Sequence, residues 1–238
     1  MTVPADVLAA LGSVSTATLS LQMLKRYGLR TRAVLGARPL SPSRCRFVGP
    51  AVTLRFAPAR EDLLADAVLD SPANPTRGAV EELPAGSVLV CAMSGSLAGG
   101  ALGDILAARL VARGAAGVVA DGAMRDCGVL AAMDLPVFCL APSAPPSFCG
   151  LLAVDRDVPV GCGGALVYPG DIMVADEDGV ICIPARYAAE LAESGPEQEA
   201  LEAWIRARVE AGASTIGLYP PDAAALAAFR AEVSPASR

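Results

Sequence analysis

From Ser87 to Asp126 the chain spells a strand, a loop, a helix and a second strand in succession, and this order constrains its fold more than any other feature. SVLVCA at 87–92 is an apolar run of strand length. MSGSLAGGALG at 93–103 is rich in Gly and Ser and reads as a loop. DILAARLVARG at 104–114 has helical character, and Gly114 stops it as a residue just past a helix does. GVVAD at 117–121 is the next strand. Asp104 thus sits at the mouth of a helix and Arg125-Asp126 just past a strand, with twenty residues between Asp104 and Arg125. Two carboxylates and a guanidinium share two loops of one helix–strand unit.

The surrounding pattern is of the same kind. Helices are expected over 3–12 and 15–27, the second capped by Ser15 or Thr16. AVTLRF at 51–56 and PVFCL at 136–140 read as strands, 58–70 as a helix and 71–78 as a loop. IMVAD, a turn at Glu177-Asp178-Gly179 and VICIP predict a β-hairpin. Residues 185–211 form a helix with Leu201, Trp204, Ile205 and Val209 in one stripe, and a last short helix follows Tyr219-Pro220-Pro221. An eight-unit barrel needs more strand–helix units than the roughly three counted here. The expected class is a layered α/β sandwich with mixed strands, divided into a core over 1–184 and a C-terminal helical extension over 185–238.

Composition excludes several chemistries. The chain has 238 residues and no histidine, which removes Ser/His/Asp and Cys/His catalysis and HExxH metal sites. Its single lysine, Lys25, lies on an N-terminal helix beside Arg26, which argues against a Schiff base. Net charge is −6 with no basic stripe, so nucleic-acid binding through phosphate neutralisation is not expected. Seven cysteines form no CxxC pair and read as reduced, buried thiols, with Cys127 beside Asp126 the one functional candidate. MTVPADVLAALG lacks the basic region of a signal peptide, and no apolar run reaches membrane-spanning length. A soluble, cytoplasmic protein is expected.

The Asp104 segment admits two readings. Asp104 is an N-cap, or the helix start behind the Gly-rich loop is an anion site where the amides of Ile105 and Leu106 hold a carboxylate while Asp104 holds water on a metal. Arg125-Asp126 is a solvated loop pair, or Asp126 ligates a divalent cation and Arg125 pairs with a carboxylate or steadies an enolate oxygen. Asp121 caps the strand end or the turn at Gly122. GGALG lacks both the Lys-Ser/Thr ending of a P-loop and a GxGxxG pattern. Gly163-Gly164 and Pro169-Gly170-Asp171 are read as turns. On spacing alone Glu202 pairs with Arg206 at i, i+4.

STATLS at 15–20, GARPL at 36–40, FVGPAVTLRF at 47–56, GAAGVVADGAMRD, LPVFCL, VPVGCGGALVYPGDIMVADEDGVICIP and GLYPP together carry a resemblance over most of the chain. The sequence resembles the family joining the regulator of ribonuclease activity A to the 4-hydroxy-4-methyl-2-oxoglutarate aldolases. The spacing of Asp104 to Arg125-Asp126 matches the aldolase signature.

The resemblance implies a swivelling three-layer α/β/β sandwich assembled as trimers or hexamers. It implies a class II pyruvate aldolase using Mg²⁺, Mn²⁺ or another divalent cation on a 2-keto acid, with oxaloacetate decarboxylation as a companion activity. Asp126 matches the direct metal ligand, Arg125 the keto-acid arginine and Asp104 the acid that holds metal-bound water. Gly103, Ile105 and Leu106 match the substrate-carboxylate loop. A C-terminal glutamate reaches the site from a neighbouring subunit in the family; Glu202 is the match and Glu199 the fallback. Leu21, Ala92 and the Tyr219-Pro220-Pro221 tail depart from the pattern and bear on the natural substrate. Two rival readings are a non-catalytic ring that binds a ribonuclease complex and another metal-dependent enzyme of sugar-acid breakdown.

Overall fold

Apolar runs that are buried on both faces line up as a parallel sheet. The computed structural model describes residues 3–60, 62 and 74–233. Strands β1 (Arg38–Pro39) and β2 (Phe47–Pro58) precede β3 (Val88–Ala92), β4 (Gly117–Ala120), β5 (Ala123–Met124) and β6 (Val137–Cys139). β2, β3, β4 and β6 run parallel in that spatial order, and β1 closes the edge antiparallel to β6. β7 (Ala141–Pro142) pairs with β5. β8 (Leu151–Arg156) pairs with the end of β2, and β11 (Ile172–Asp176) pairs with its start and with β12 (Gly179–Ile183). These two partners extend β2 well beyond the expected 51–56.

Side-chain alternation builds the layers. Leu89, Cys91, Val118 and Ala120 face the helices α3 (Pro75–Glu81), α4 (Asp104–Ala112) and α5 (Cys127–Ala132), where Val80, Leu110 and Leu130 complete one core. Val88, Val90, Val119 and Phe138 face the opposite way, onto the hairpin of β9 (Val160–Cys162) and β10 (Ala165–Val167) and onto Met173, Ala175, Val180 and Cys182. The alternate residues of the last hairpin, Ile172, Val174, Ile181 and Ile183, meet α1 (Ala5–Gly12), α2 (Thr16–Tyr27) and the start of α6 (Ala188–Glu210). The result is the mixed α/β sandwich expected, with a curled sheet and an added helical cover. The second half of α6 packs Leu201 and Ile205 on Phe229 of α7 (Ala223–Val233). No single helix among the described residues is long and apolar enough to cross a membrane.

Some expectations are corrected. The loop expected over 71–78 contains the start of α3: Asn74 Oδ1 accepts the amides of Thr76 at 3.0 Å and Arg77 at 3.3 Å, and Pro75 follows at the first helical position. α5, β5 and the strands β7 to β10 are short elements that the apolar runs did not signal. The turn read at Gly163-Gly164 is there, with φ of 54° and 85° between β9 and β10. Most of the helix expected over 58–70 lies outside the described residues.

Asp176 joins the last hairpin to the N-terminal helices. Its carboxylate accepts the Thr16 amide at 2.7 Å, the Thr16 hydroxyl at 2.6 Å and the Asp178 amide at 3.0 Å. Ser15 is the N-cap of α2, with its Oγ 3.1 Å from the Thr18 amide. Both Thr16 and Asp176 are buried, so an unpaired amide there is costly. Asp176→Ala is expected to destabilise the chain by about 2 kcal/mol, read as a lower urea midpoint at unchanged slope. A loss under about 0.5 kcal/mol would place this contact among the neutral ones.

Candidate active site

The Gly-rich loop between β3 and α4 lies directly against the segment that follows β4. Ala101 donates its amide to the Ala123 carbonyl at 2.9 Å, and Arg125 donates to the Leu102 carbonyl at 2.9 Å. Gly100 also bridges to Pro146. This approach needs glycine. A Cβ on Gly100 would lie 2.6 Å from the Arg125 amide nitrogen, and one on Gly103 would lie 2.5 Å from Asp126 Oδ2. The loop brings the start of α4 to Arg125 and Asp126, as the spacing predicted.

Asp126 adopts φ 53° and ψ 33°, the left-handed region that non-glycine residues enter at a cost of about 1 kcal/mol or more. Its carboxylate is exposed, and Oδ2 accepts the Asp104 amide at 3.3 Å. The N-cap of α4 is Gly103, not Asp104. Asp104 is the first helical residue, and its Oδ1 accepts the Ile105 amide at 2.8 Å. The capping role expected of Asp104 is therefore shared with Asp126, which reaches the helix start from across the loop.

Arg125 lies between solvent and core. Its Nε is buried without a hydrogen-bond partner. The side chain lines a cleft of about 220 Å³ with Gly100, Gly103, Leu106 and Phe148. A buried donor left unpaired calls for an acceptor. Leu106 is a wall of this cleft, while Ile105 is 74% exposed beside it. Asn74, Thr76, Leu151 and Leu152 also line it. Sequence reasoning missed these, because they come from α3 and β8; the Asn74-Pro75 capping pair was the one available signal.

The other predicted residues fall elsewhere. Glu202 accepts a hydrogen bond from Gln198 Nε2 at 2.8 Å and lines a separate pocket on α6. No Glu202–Arg206 ion pair forms among the described residues: Gln198, one turn earlier, takes the carboxylate instead. Glu199 accepts the Ser15 amide at 2.9 Å. Burial opposes its ionisation, but the hydrogen bonds from Ser15 and Thr18 outweigh this and hold the carboxyl below its usual range. Neither glutamate lines the Arg125 cleft within the chain.

Asp121 is buried and ties strand ends together, accepting the Met93 amide at 2.5 Å and the Gly163 amide at 3.1 Å. Burial raises its carboxyl against the pull of those amides. Cys127 Sγ donates to the Met124 carbonyl at 3.4 Å, and burial pushes the Cys127 and Cys139 thiols up, Cys139 to about 12.

The donor set fits a hard cation. Asp126 and Asp104 present oxygen, and the missing side chain of Gly103 leaves Asp126 Oδ2 its space. No cluster of three or more Asp, Glu, Cys or His residues forms among the described residues. One or two carboxylates with the remaining positions open is how magnesium is commonly held. Gly103→Ala tests this packing. At φ −116° the backbone tolerates alanine, so the fold should melt within a few degrees of wild type. Displacement of Asp126 should weaken Mn²⁺ binding, measured by calorimetry, about tenfold or more. Unchanged Mn²⁺ affinity would separate Asp126 from the cation.

The fold has known counterparts. The family profile described as RraA-like, Aldolase/RraA, matches residues 6–182. A Halalkalibacterium halodurans protein named "Putative 4-hydroxy-4-methyl-2-oxoglutarate aldolase" is 36% identical over 107 residues, covering 44% of this chain and 50% of that one. The chain thus matches about half the length of this curated relative. The crystal structure of Streptomyces coelicolor RraAS2, titled an unusual member of the RNase ES inhibitor RraA family, is 33% identical with a TM-score of 0.75, over 87% of this chain and 98% of that one. An uncharacterized Pseudomonas syringae protein is 25% identical with a TM-score of 0.80, over 92% and 95%. With a family match over most of its length and these shared folds, the chain belongs to the RraA-like family, which joins aldolases and ribonuclease regulators.

Proposed function

We propose that this chain is a divalent-metal-dependent lyase that cleaves a 4-hydroxy-2-keto acid to pyruvate and decarboxylates oxaloacetate. The observation that carries the proposal is Arg125, which lines a cleft beside the Asp126–Asp104 contact and whose buried Nε has no hydrogen-bond partner. Asp126 would hold Mg²⁺ or Mn²⁺, and Asp104 would position a water at the site. When bound, the cation supplies Lewis-acid polarisation of the substrate ketone.

The protein's own groups do the rest. The substrate carboxylate lies at the start of α4, where the Gly103–Leu106 segment offers amides and the positive end of the helix dipole. The Ile105 amide exchanges its Asp104 Oδ1 bond for this anion. Cleavage passes the 4-hydroxyl proton to the water beside Asp104 and breaks the C3–C4 bond, so that C4 departs as the carbonyl of the second product and the bonding pair passes into pyruvate enolate. Arg125 stabilises the enolate oxygen. Protonation at C3 gives pyruvate. Glu202 from a second copy, in a trimer or hexamer, completes the site.

Pyruvate release from oxaloacetate and from 4-hydroxy-4-methyl-2-oxoglutarate tests this reading. Activity should require Mg²⁺ and disappear in EDTA and in Asp126→Ala. Arg125→Ala should lower kcat about 10²–10³-fold. Full activity in EDTA or in Asp126→Ala would overturn the metal mechanism. The inhibitor titles of solved relatives favour a second reading, ribonuclease regulation. No turnover of either acid, together with tight ribonuclease binding, would establish that reading instead.

The shared site has its own test. Asp126→Ala and Glu202→Ala subunits, each inactive alone, should recover activity when unfolded and refolded together. No recovery in rings shown by mass spectrometry to be mixed would remove Glu202 from the site.

A further inference from the structure

Two buried side-chain atoms among the described residues lack a hydrogen-bond partner, and both are arginine Nε atoms. One belongs to Arg125. The other belongs to Arg32, and no reading of the sequence assigned it a role.

Arg32 lines a cleft of about 400 Å³ that shares no residue with the Arg125 cleft. Its guanidinium reaches only the Leu166 carbonyl, at a long 3.4 Å from Nη1, and forms no ion pair among the described residues. Arg186 lines the same cleft and is likewise without an ion pair; its guanidinium lies 4.7 Å from the Tyr187 ring centre. Tyr168 and Leu166 add apolar surface, each about half exposed. The one carboxylate in the cleft, Asp171, is buried and already engaged: it accepts the Tyr168 amide at 3.0 Å, the Ala185 amide at 3.3 Å and the Cys182 thiol at 3.6 Å. Two guanidinium groups therefore share the cleft with one carboxylate that already accepts three donors.

We infer that this cleft is a second ligand site that binds an organic oxyanion, with the Arg32 and Arg186 guanidinium groups on the anionic head and Tyr168 and Leu166 against the body. A guanidinium presents several donors in a fixed fork that matches carboxylate and phosphate oxygens. An oxyanion would take up the Nη donors of Arg32, whose one hydrogen bond among the described residues is the long one to Leu166. The exposed Tyr168 ring suits a flat or apolar body over a bare inorganic ion. The shared chemistry is the oxyanion head, and phosphate or carboxylate can supply it.

Calorimetric titration with phenyl phosphate and with benzoate tests the inference and separates the two heads. The Arg125→Gln background removes the guanidinium of the first cleft. One saturable site should persist there for at least one probe, and the tighter probe names the head. Arg32→Gln and Arg186→Gln, each added to that background, should weaken it about tenfold or more. Arg32→Gln should melt near wild type, since it removes only the long Nη1 bond to Leu166. The inference is overturned if neither probe binds the Arg125→Gln protein, or if both added substitutions leave affinity unchanged. Dissociation of an oligomer by Arg32→Gln, seen on gel filtration with probe affinity unmoved, would make this a contact between copies and would equally overturn it.

Discussion

The main-chain bonds from Ala101 to Ala123 and from Arg125 to Leu102 hold the start of one helix against the end of the neighbouring strand. The candidate site depends on them. They run through a segment where two glycines leave no room for a Cβ, so the close approach is a steric requirement before it is a chemical one. The same approach sets the Asp126 carboxylate at the α4 amides and turns Asp126 into the left-handed region. Tightly determined surroundings are what sustain such a backbone.

Burial and saturation separate the structural aspartates from the chemical ones. Asp121, Asp171 and Asp176 are buried, and each carboxylate accepts two or more donors from another turn, strand or helix. They are tethers. Asp126 is exposed and its carboxylate holds one long bond, from the Asp104 amide, while the Asp104 carboxylate accepts only within its own helical turn. Their oxygens retain acceptor capacity for a cation or its water. The arginines divide in the same way: Arg46, Arg109 and Arg208 sit in ion pairs, whereas Arg125 and Arg32 carry buried nitrogens without partners.

The strands β3, β4 and β6, the helix α4 and the β11–β12 hairpin were legible because each is signalled locally, by an apolar run, a stop at Gly114 or an Asp-Gly turn. The strands β8, β9 and β10 were not. β9 and β10 are three residues each, and β8 is held by its pairing with the second half of β2 rather than signalled by its own pattern. Cap positions were legible only to within a residue. Asp104 looks like an N-cap in sequence, but Gly103 takes that position, where a Cβ would meet Asp126 Oδ2. Glu202 likewise matched a charge-pair spacing, yet Gln198 occupies its carboxylate.

By itself the sequence determined the chemistry available: no histidine, one lysine, and carboxylates with an arginine at a spacing that places them on loops of one strand–helix–strand unit. Those are properties of composition and local periodicity, which a chain carries before it folds. The tertiary structure alone decided which groups remain unsatisfied. Whether a given aspartate is a tether or a ligand, and whether a given arginine is paired or left facing a cleft, depends on partners far away in sequence. Asp176 meets Thr16 across 160 positions, and Asp121 meets Gly163 across 42. Hydrogen bonding and desolvation act over a few ångströms, and only the folded sheet brings such residues that close.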